Sequence, residues 1–598
     1  MHVALIRRFI AYCRREGILL SGMFDCWTQS GVPHQAFVMS AITPDGVAVC
    51  GVLDFLQYGL NTKDWRGLEA VLSNIVEFWQ LGDSLTFLTG DRGPDVIKMF
   101  SESLPYSLHL AEAAYIPCIA HFLNNAAQGS WGKITAKADP DKEDFIAHRI
   151  MTIFNGIRSG CLKNKLQEKC KEMGCKYETL VSFCDSRWPS DYEAYRQVLQ
   201  LYPALNQMID DEGLKYTPFS HEDIAMIKVL LPFLGDIKEA VKLLSRDEPN
   251  VHCVIALMVN LRDAALKGMA STQPGSVARR RYRKLTRYIC DYWSDDTHGI
   301  RRNVGLFFFA HTIDPANWMV TDRGSLMSKY RDMNNFCKER PRKTVMEDKA
   351  KKDENDSGLK PVLSVVDEIM RYVRLVSERV DDAEKIAARE RTDVEYVHMP
   401  VVDELGFGIM EGGRECSVSV TENEWMDLPD DAFGTLLAGS SSFFDHVWSE
   451  FAIFKNGAID LQTLRTNSGS LLQFWSTPQV RSNYPNLRKV VLATLTVRVE
   501  EVECERLFSS SGLILTKRRS RLELSENYRR LTLLTAWRQK RGLVEQIRAA
   551  MPKGELDGTD DGSNMRDGDD ISDDGDQQID DAPSCKVGSK RTIIDVSE

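Results

Sequence analysis

Apolar and polar positions change period several times along the chain, and the changes predict its elements. Gly17 to Trp27 (GILLSGMFDCW) is an apolar run closed by a turn at Ser30-Gly31. Gln35 to Ile42 is a second strand candidate, ended by Pro44-Asp45-Gly46, and Val47 to Phe55 is a third. Short runs joined by Gly, Pro and Asp turns predict an antiparallel meander. The period then becomes helical: Leu68, Val71, Leu72, Ile75 and Phe78 share one face of a helix over Trp65 to Leu81. Leu85 to Leu88 reads as a fourth strand, Val96 to Phe100 as the start of a helix, and Tyr115 to Ile119 as a fifth strand feeding another helix. The first residues, MHVALIRRFIAYCRREG, are interrupted by Arg7, Arg8, Arg14 and Arg15, which suits an amphipathic helix and not a signal peptide.

From about Ala147 to Trp448 the strand pattern largely disappears. Phe154–Met173, Asp191–Asp210, Glu222–Leu244 and Pro249–Leu266 carry apolar residues at helical spacing. Two polar linkers, 339–358 and 403–431, interrupt this block, and helical periodicity returns from Phe443 to Trp537. The expected fold is α/β: an RNase H-like mixed sheet interrupted by a large, mostly α-helical insertion and closed by C-terminal helices. The expected divisions are 1–146 for the first part of the core, 147–448 for the insertion, 449–545 for the closing region and 546–598 for a tail.

Composition adds little until charge is placed along the chain. The formal net charge of −11 argues against a nucleic-acid binder if taken globally. However, Glu555 to Asp581 holds about 12 acids and 1 base, so the remainder is close to neutral. That stretch is poor in large apolar residues and is expected to be disordered. No apolar run reaches the roughly 18 residues that cross a bilayer, so no membrane partner is expected. The 14 cysteines include no CxxC pair, which suits free thiols in a reducing compartment rather than a disulfide framework or a zinc cluster.

Asp25 stands within an apolar strand candidate, and Asp91 at the end of another. Carboxylates on adjacent strands are costly to bury unless they are paired or hold a cation. If the first and fourth strands are neighbours, the two acids face each other. The alternative, two water-exposed strand-end acids, stays open at this point.

Further marks occur in one order along the chain: Phe24-Asp25-Cys26-Trp27-Thr28, Leu88-Thr89-Gly90-Asp91, Cys118-Ile119-Ala120-His121, Asp185-Ser186-Arg187-Trp188, His311-Thr312-Ile313-Asp314-Pro315 and Glu505-Arg506-Leu507-Phe508-Ser509. Before the last stand Phe474-Trp475 and Tyr484-Pro485-Asn486-Leu487. This succession resembles the hAT transposase superfamily, from its first-acid strand through its CxxH and RW motifs to its C-terminal dimerisation region.

The resemblance implies a catalytic triad of Asp25, Asp91 and Glu505 holding two Mg²⁺ or Mn²⁺ ions, with no small-molecule cofactor. Oxygen ligands suit such hard cations. The implied reaction is excision with a hairpin on flanking DNA, then strand transfer, in the nucleus. Trp188 would stack on an extruded base beside Arg187, and His121 would orient a phosphate or a carboxylate. A core tryptophan and a core histidine remain alternatives. Arg279, Arg280, Arg281, Arg283 and Lys284, and separately Lys517, Arg518 and Arg519, form basic runs that suit phosphate contact, a nuclear localisation signal or a solvated helix face. Trp475, Leu487, Val491, Leu495, Leu531 and Leu534 supply the apolar surface expected to pair with a second copy in a homodimer or higher oligomer. Part of that stripe must also serve as intramolecular core.

The sequence departs from the family in three places. No Cys/His quartet precedes Asp25, so a BED-type zinc finger was either lost or lies outside this sequence. Arg92 and Asp95 follow Asp91 where relatives carry asparagine, and the acidic tail is extra. An active transposase and a domesticated DNA-binding dimer without catalysis are therefore the two functional expectations.

Overall fold

The computed structural model describes residues 2–29, 32–57, 65–82, 84–102, 115–131, 145–158, 160–181, 189–246, 248–294, 300–317, 365–396, 442–514, 526–538 and 542–552. Both expected linkers and nearly all of the acidic tail lie outside these residues.

Five strands form one sheet: β1 (Leu20–Gln29), β2 (Val32–Ile42), β3 (Ala48–Gln57), β4 (Leu85–Gly90) and β5 (Tyr115–Pro117). Their order is β3-β2-β1-β4-β5. The first three strands are an antiparallel meander, while β4 joins β1 in parallel and β5 joins β4 in parallel. The parallel half needs helical crossovers, and Trp65–Trp79 and Pro94–Glu102 supply them. The N-terminal helix His2–Arg15 buries Ile6, Phe9, Ile10 and Cys13, so its apolar stripe faces the core as expected.

The helical block differs from the expectation in detail. The single helix expected over Phe154–Met173 is two, Phe145–Ile157 and Cys161–Glu172. Gly160, at φ +74°, makes the break, because few side chains tolerate that backbone conformation. A 32-residue helix, Val365–Tyr396, lies between the two expected linkers and buries Ile369, Val373, Val376 and Val380. Its Tyr372 hydroxyl lies 2.8 Å from Thr494 Oγ1, on the closing helix Pro485–Leu495.

Buried ion pairs join distant parts of this fold. Asp54 on β3 accepts from Arg529 at 2.8 Å and from Trp79 Nε1 at 2.9 Å, and its side chain is almost fully buried. Asp314 holds Arg465 at 2.8 Å, while Ile313 accepts from the Trp475 indole at 3.1 Å. The HTIDP mark thus fastens the helical block to the closing region.

Candidate active site

The sheet register brings the first two acids together. Met23 on β1 is opposite Thr89 on β4. Asp25 and Asp91 each lie two residues further along neighbouring parallel strands. A two-residue step returns to the same face, so both acids stand at the carboxyl edge of the sheet on one side. Asp25 is half-buried, and its Oδ1 accepts the Cys26 N–H at 2.7 Å. Asp91 Oδ1 accepts the Gly93 N–H at 3.0 Å, and the Tyr115 hydroxyl donates to the Asp91 carbonyl at 2.8 Å. Gly90 keeps the approach open: a Cβ there would lie 2.9 Å from the Phe24 ring.

The same face receives a segment from the far end of the chain. Ser21 Oγ lies 2.7 Å from Thr496 Oγ1, the Thr89 hydroxyl donates to the Arg498 carbonyl, and Ile119 N–H donates to the Val499 carbonyl at 2.8 Å. Residues 496–501 thereby run from the start of β1 past the end of β4 to the residues after β5. The segment delivers Glu501, 1% exposed, immediately before the helix Val502–Ile514. Its carbonyl accepts the first helical bond, from Glu505 N–H at 3.1 Å.

Glu501, Asp25 and Asp91 act on one another electrostatically. Burial raises Asp25 to about 6, with the Asp91 charge adding to the rise and His121 and the Cys26 N–H opposing it. Burial also pushes Glu501 well above the carboxylate range, against His121. Neither Glu501 oxygen accepts a well-directed hydrogen bond, although His121 Nδ1 approaches one of them to 2.8 Å. Beside them the Cys118 thiol is fully buried and pushed up to about 12, by burial first and then by Glu501. His121 experiences opposite influences. Burial pulls its pKa down, but the neighbouring Cys118 and Glu501 outweigh burial and hold it well above the ordinary value.

Glu501 was not among the residues expected from the sequence. The expected third acid, Glu505, is half-buried one turn further on, in a helix that packs across β1, β2 and β3. Four acids crowd into Glu500, Glu501, Glu503 and Glu505, and only the fold sorts them. Glu500 pairs with buried Arg498 at 3.3 Å, and Glu503 with Arg506 at the surface. Arg92, which follows Asp91 where relatives carry asparagine, has its guanidinium over the Tyr292 ring at 5.0 Å.

The basic run of the insertion falls on the helix Val277–Ser294. Arg280, Arg283, Lys284 and Arg287 are exposed at helical spacing on one face, and Arg279 is half-buried, donating to the Thr272 carbonyl. Arg281 is a correction: at 1% exposure it belongs to the interior and cannot reach a phosphate from this position. The same helix carries Tyr292, which stacks on Phe122 at 4.0 Å and donates to the Pro117 carbonyl. Its C-terminal end therefore abuts the acidic pocket. Trp188, Arg187, Lys517, Arg518 and Arg519 lie outside the described residues.

The expected dimer stripe divides in two. Trp475, Leu487, Val491 and Leu495 are at most 1% exposed, packed inside the chain's own core, which corrects their reading as a free surface. Helical spacing reports that a face is covered, not by which chain. Leu531 stays exposed at 39%, and Leu534 is half-buried.

Comparison with known proteins settles the ancestry of this region. Residues 458–537 match the hAT family C-terminal dimerisation region. The chain carries a hAT C-terminal dimerisation region. No curated protein is similar enough to the chain to count as a match. The matched hAT region contains the core residues Trp475 to Leu495, the crossing segment 496–501, and both Glu501 and Glu505. One stretch therefore carries the family's dimerisation signature and the acids that meet Asp25 and Asp91 or lie one turn beyond. Among the described residues, no helix is long and apolar enough to cross a membrane.

Proposed function

We propose that this protein cleaves and joins DNA strands by metal-dependent phosphoryl transfer, working in the nucleus as a homodimer or higher oligomer. The observation that supports this reading most is the meeting of carboxylates from residues 25, 91 and 501, which are brought by two parallel strand ends and the C-terminal region. Such a concentration of half-buried and buried negative charge disfavours itself in a metal-free protein, and a hard divalent cation answers it.

Asp25 and Asp91 would hold Mg²⁺ or Mn²⁺, with Glu505 as the third ligand. When bound, such ions supply Lewis-acid stabilisation of the attacking and leaving oxygens. The protein's own residues do the positioning. The Cys26 and Gly93 N–H groups orient the two aspartates. His121 stands at the pocket's mouth with its side chain 26% exposed, within reach of a phosphate. Arg280, Arg283, Lys284 and Arg287 form a basic stripe on the helix whose far end abuts the pocket, suited to guiding a DNA backbone toward it.

The test is strand cleavage and hairpin formation on a nicked duplex with Mn²⁺. The reading expects activity in the wild type and a loss of at least roughly 100-fold in Asp91→Ala with dimerisation retained. A dimer that binds DNA but never cuts it supports a catalytically silent descendant. Activity that survives both Asp25→Ala and Asp91→Ala refutes the assignment of the site.

A further inference from the structure

Beside the all-oxygen ligands of Asp25 and Asp91 lies a group of different chemistry. Cys118 Sγ, His121 Nδ1 and a Glu501 carboxylate oxygen lie within 4.8 Å of one another. Nδ1 is 3.4 Å from the sulfur and 2.8 Å from the carboxylate. We propose that these three side chains form a Zn²⁺ site, separate from the Mg²⁺ or Mn²⁺ position and with its fourth position open to water.

Zn²⁺ binds thiolate at about 2.3 Å and imidazole or carboxylate at about 2.0–2.2 Å. Tetrahedral angles then set ligand atoms about 3.3–3.6 Å apart. The Nδ1–Sγ separation already falls in that range. The Nδ1–carboxylate contact must open by about half an ångström, a change that rotation of the Glu501 side chain provides.

The burial of Glu501 and the fixed placement of the three groups both fit a cation here. Glu501 is wholly buried, yet neither of its oxygens accepts a well-directed hydrogen bond. His121 is its counter-charge at 2.8 Å, and a metal ion would take over that role while keeping both groups as ligands. The ligands are also fixed in place by structure. Cys118 and His121 flank the first turn of the helix Ile119–Trp131, and the Ile119 N–H holds the Val499 carbonyl, two residues before Glu501. Soft sulfur together with imidazole selects Zn²⁺ over Mg²⁺, whereas the neighbouring aspartates prefer the harder ion. Access runs past the imidazole, which is the only partly exposed member of the three. Binding releases the thiol proton and the Nδ1 proton to solvent. The bound ion would staple the turn after β5 to the hAT region's crossing segment.

Asp25, Asp91 and Glu505 are not ligands, and although Glu501 also belongs to the charge cluster of the strand-transfer reading, zinc binding measured without DNA tests this site separately. The experiment is zinc K-edge X-ray absorption on the full chain loaded with one equivalent of Zn²⁺ in millimolar Mg²⁺, together with zinc affinity in wild type and Glu501→Gln. The expected result is one sulfur near 2.3 Å and three nitrogen or oxygen neighbours. Affinity should be weaker in the variant by at least roughly tenfold, a loss seen even for groups that only support a ligand. A Cys118→Ser variant that folds should lose the sulfur neighbour, and if it does not fold, the wild-type spectrum and Glu501→Gln decide. No sulfur, two or more sulfurs, or unchanged affinity in Glu501→Gln overturns the proposal.

Discussion

Replacing Asp25 by Asn should stabilise the metal-free protein, and the gain should depend on pH. Asn has nearly the same shape and can still accept the Cys26 N–H, so charge is the main change. In the folded protein the Asp25 pKa is raised to about 6 from an ordinary 3.8, by burial first and by Asp91 second. The native carboxyl therefore binds more protons than the unfolded one between those values. A group with a raised native pKa contributes fully below the unfolded value, and the contribution is lost as pH climbs through the native value. At about 1.4 kcal/mol per unit, the loss approaches about 3 kcal/mol at pH 7.5 and about half of that at pH 5. Water reaches part of the side chain, so roughly 1–3 kcal/mol is the working figure at pH 7.5. Urea or thermal unfolding with a chelator measures it. Asp25→Asn should exceed wild type by roughly 1–3 °C at pH 7.5, and by clearly less at pH 5. Saturating Mg²⁺ should raise the wild type but not the variant. An Asp25→Asn protein that is less stable at both pH values, by equal amounts, would falsify the claim that crowded charge strains this pocket.

Other predictions address the framework and the DNA path. Arg529→Met leaves the buried Asp54 carboxylate without its strong partner and should cost about 3–5 kcal/mol in urea unfolding; a cost below 1 kcal/mol would show that water replaces the guanidinium. Gly90→Ala places a methyl 2.9 Å from the Phe24 ring and should cost about 1–3 kcal/mol, with loss of cleavage if Asp91 shifts. An unchanged melting curve would mean that the ring simply moves away. Charge reversal at Arg283 or Arg287 should weaken DNA binding and lower its salt slope by about one unit per site with little effect on stability. Arg281→Ala should instead lower stability, and an equal loss of DNA affinity at constant stability would restore Arg281 to the interface.

Much of the sheet was legible in the sequence, because turns such as Pro44-Asp45-Gly46 and apolar runs mark strands by purely local chemistry. Asp25 and Asp91 were legible for the same reason, each being an acid where a strand pattern wants an apolar residue or ends. Glu501 was not. It sits in Arg498-Val499-Glu500-Glu501-Val502-Glu503-Cys504-Glu505, a stretch that reads locally as polar. Its burial depends on the crossing segment being pinned by Ser21, Thr89 and Ile119, contacts hundreds of residues apart in sequence. The one available signal was the alternation of Val497, Arg498 and Val499, which suggests an extended segment instead of a continuing helix. Leu487, Val491 and Leu495 illustrate the opposite limit. Their spacing identified a buried face correctly, but periodicity does not say whether the covering surface comes from the same chain. Arg281 shows that a basic run on a helix is split by rotation, with one guanidinium turned inward while its neighbours face water.

Iron-directed backbone cleavage tests the convergence itself. Fe²⁺ replaces Mg²⁺ at oxygen-rich sites and, with ascorbate and peroxide, cuts polypeptide close to where it is held. The arrangement described here requires cuts around residues 25, 91 and 501–505 in the same molecules, all suppressed by Mg²⁺ and all weakened together in Asp91→Asn. Cuts at one of these segments alone, or a pattern indifferent to Asp91→Asn, would mean that the three segments do not share an ion.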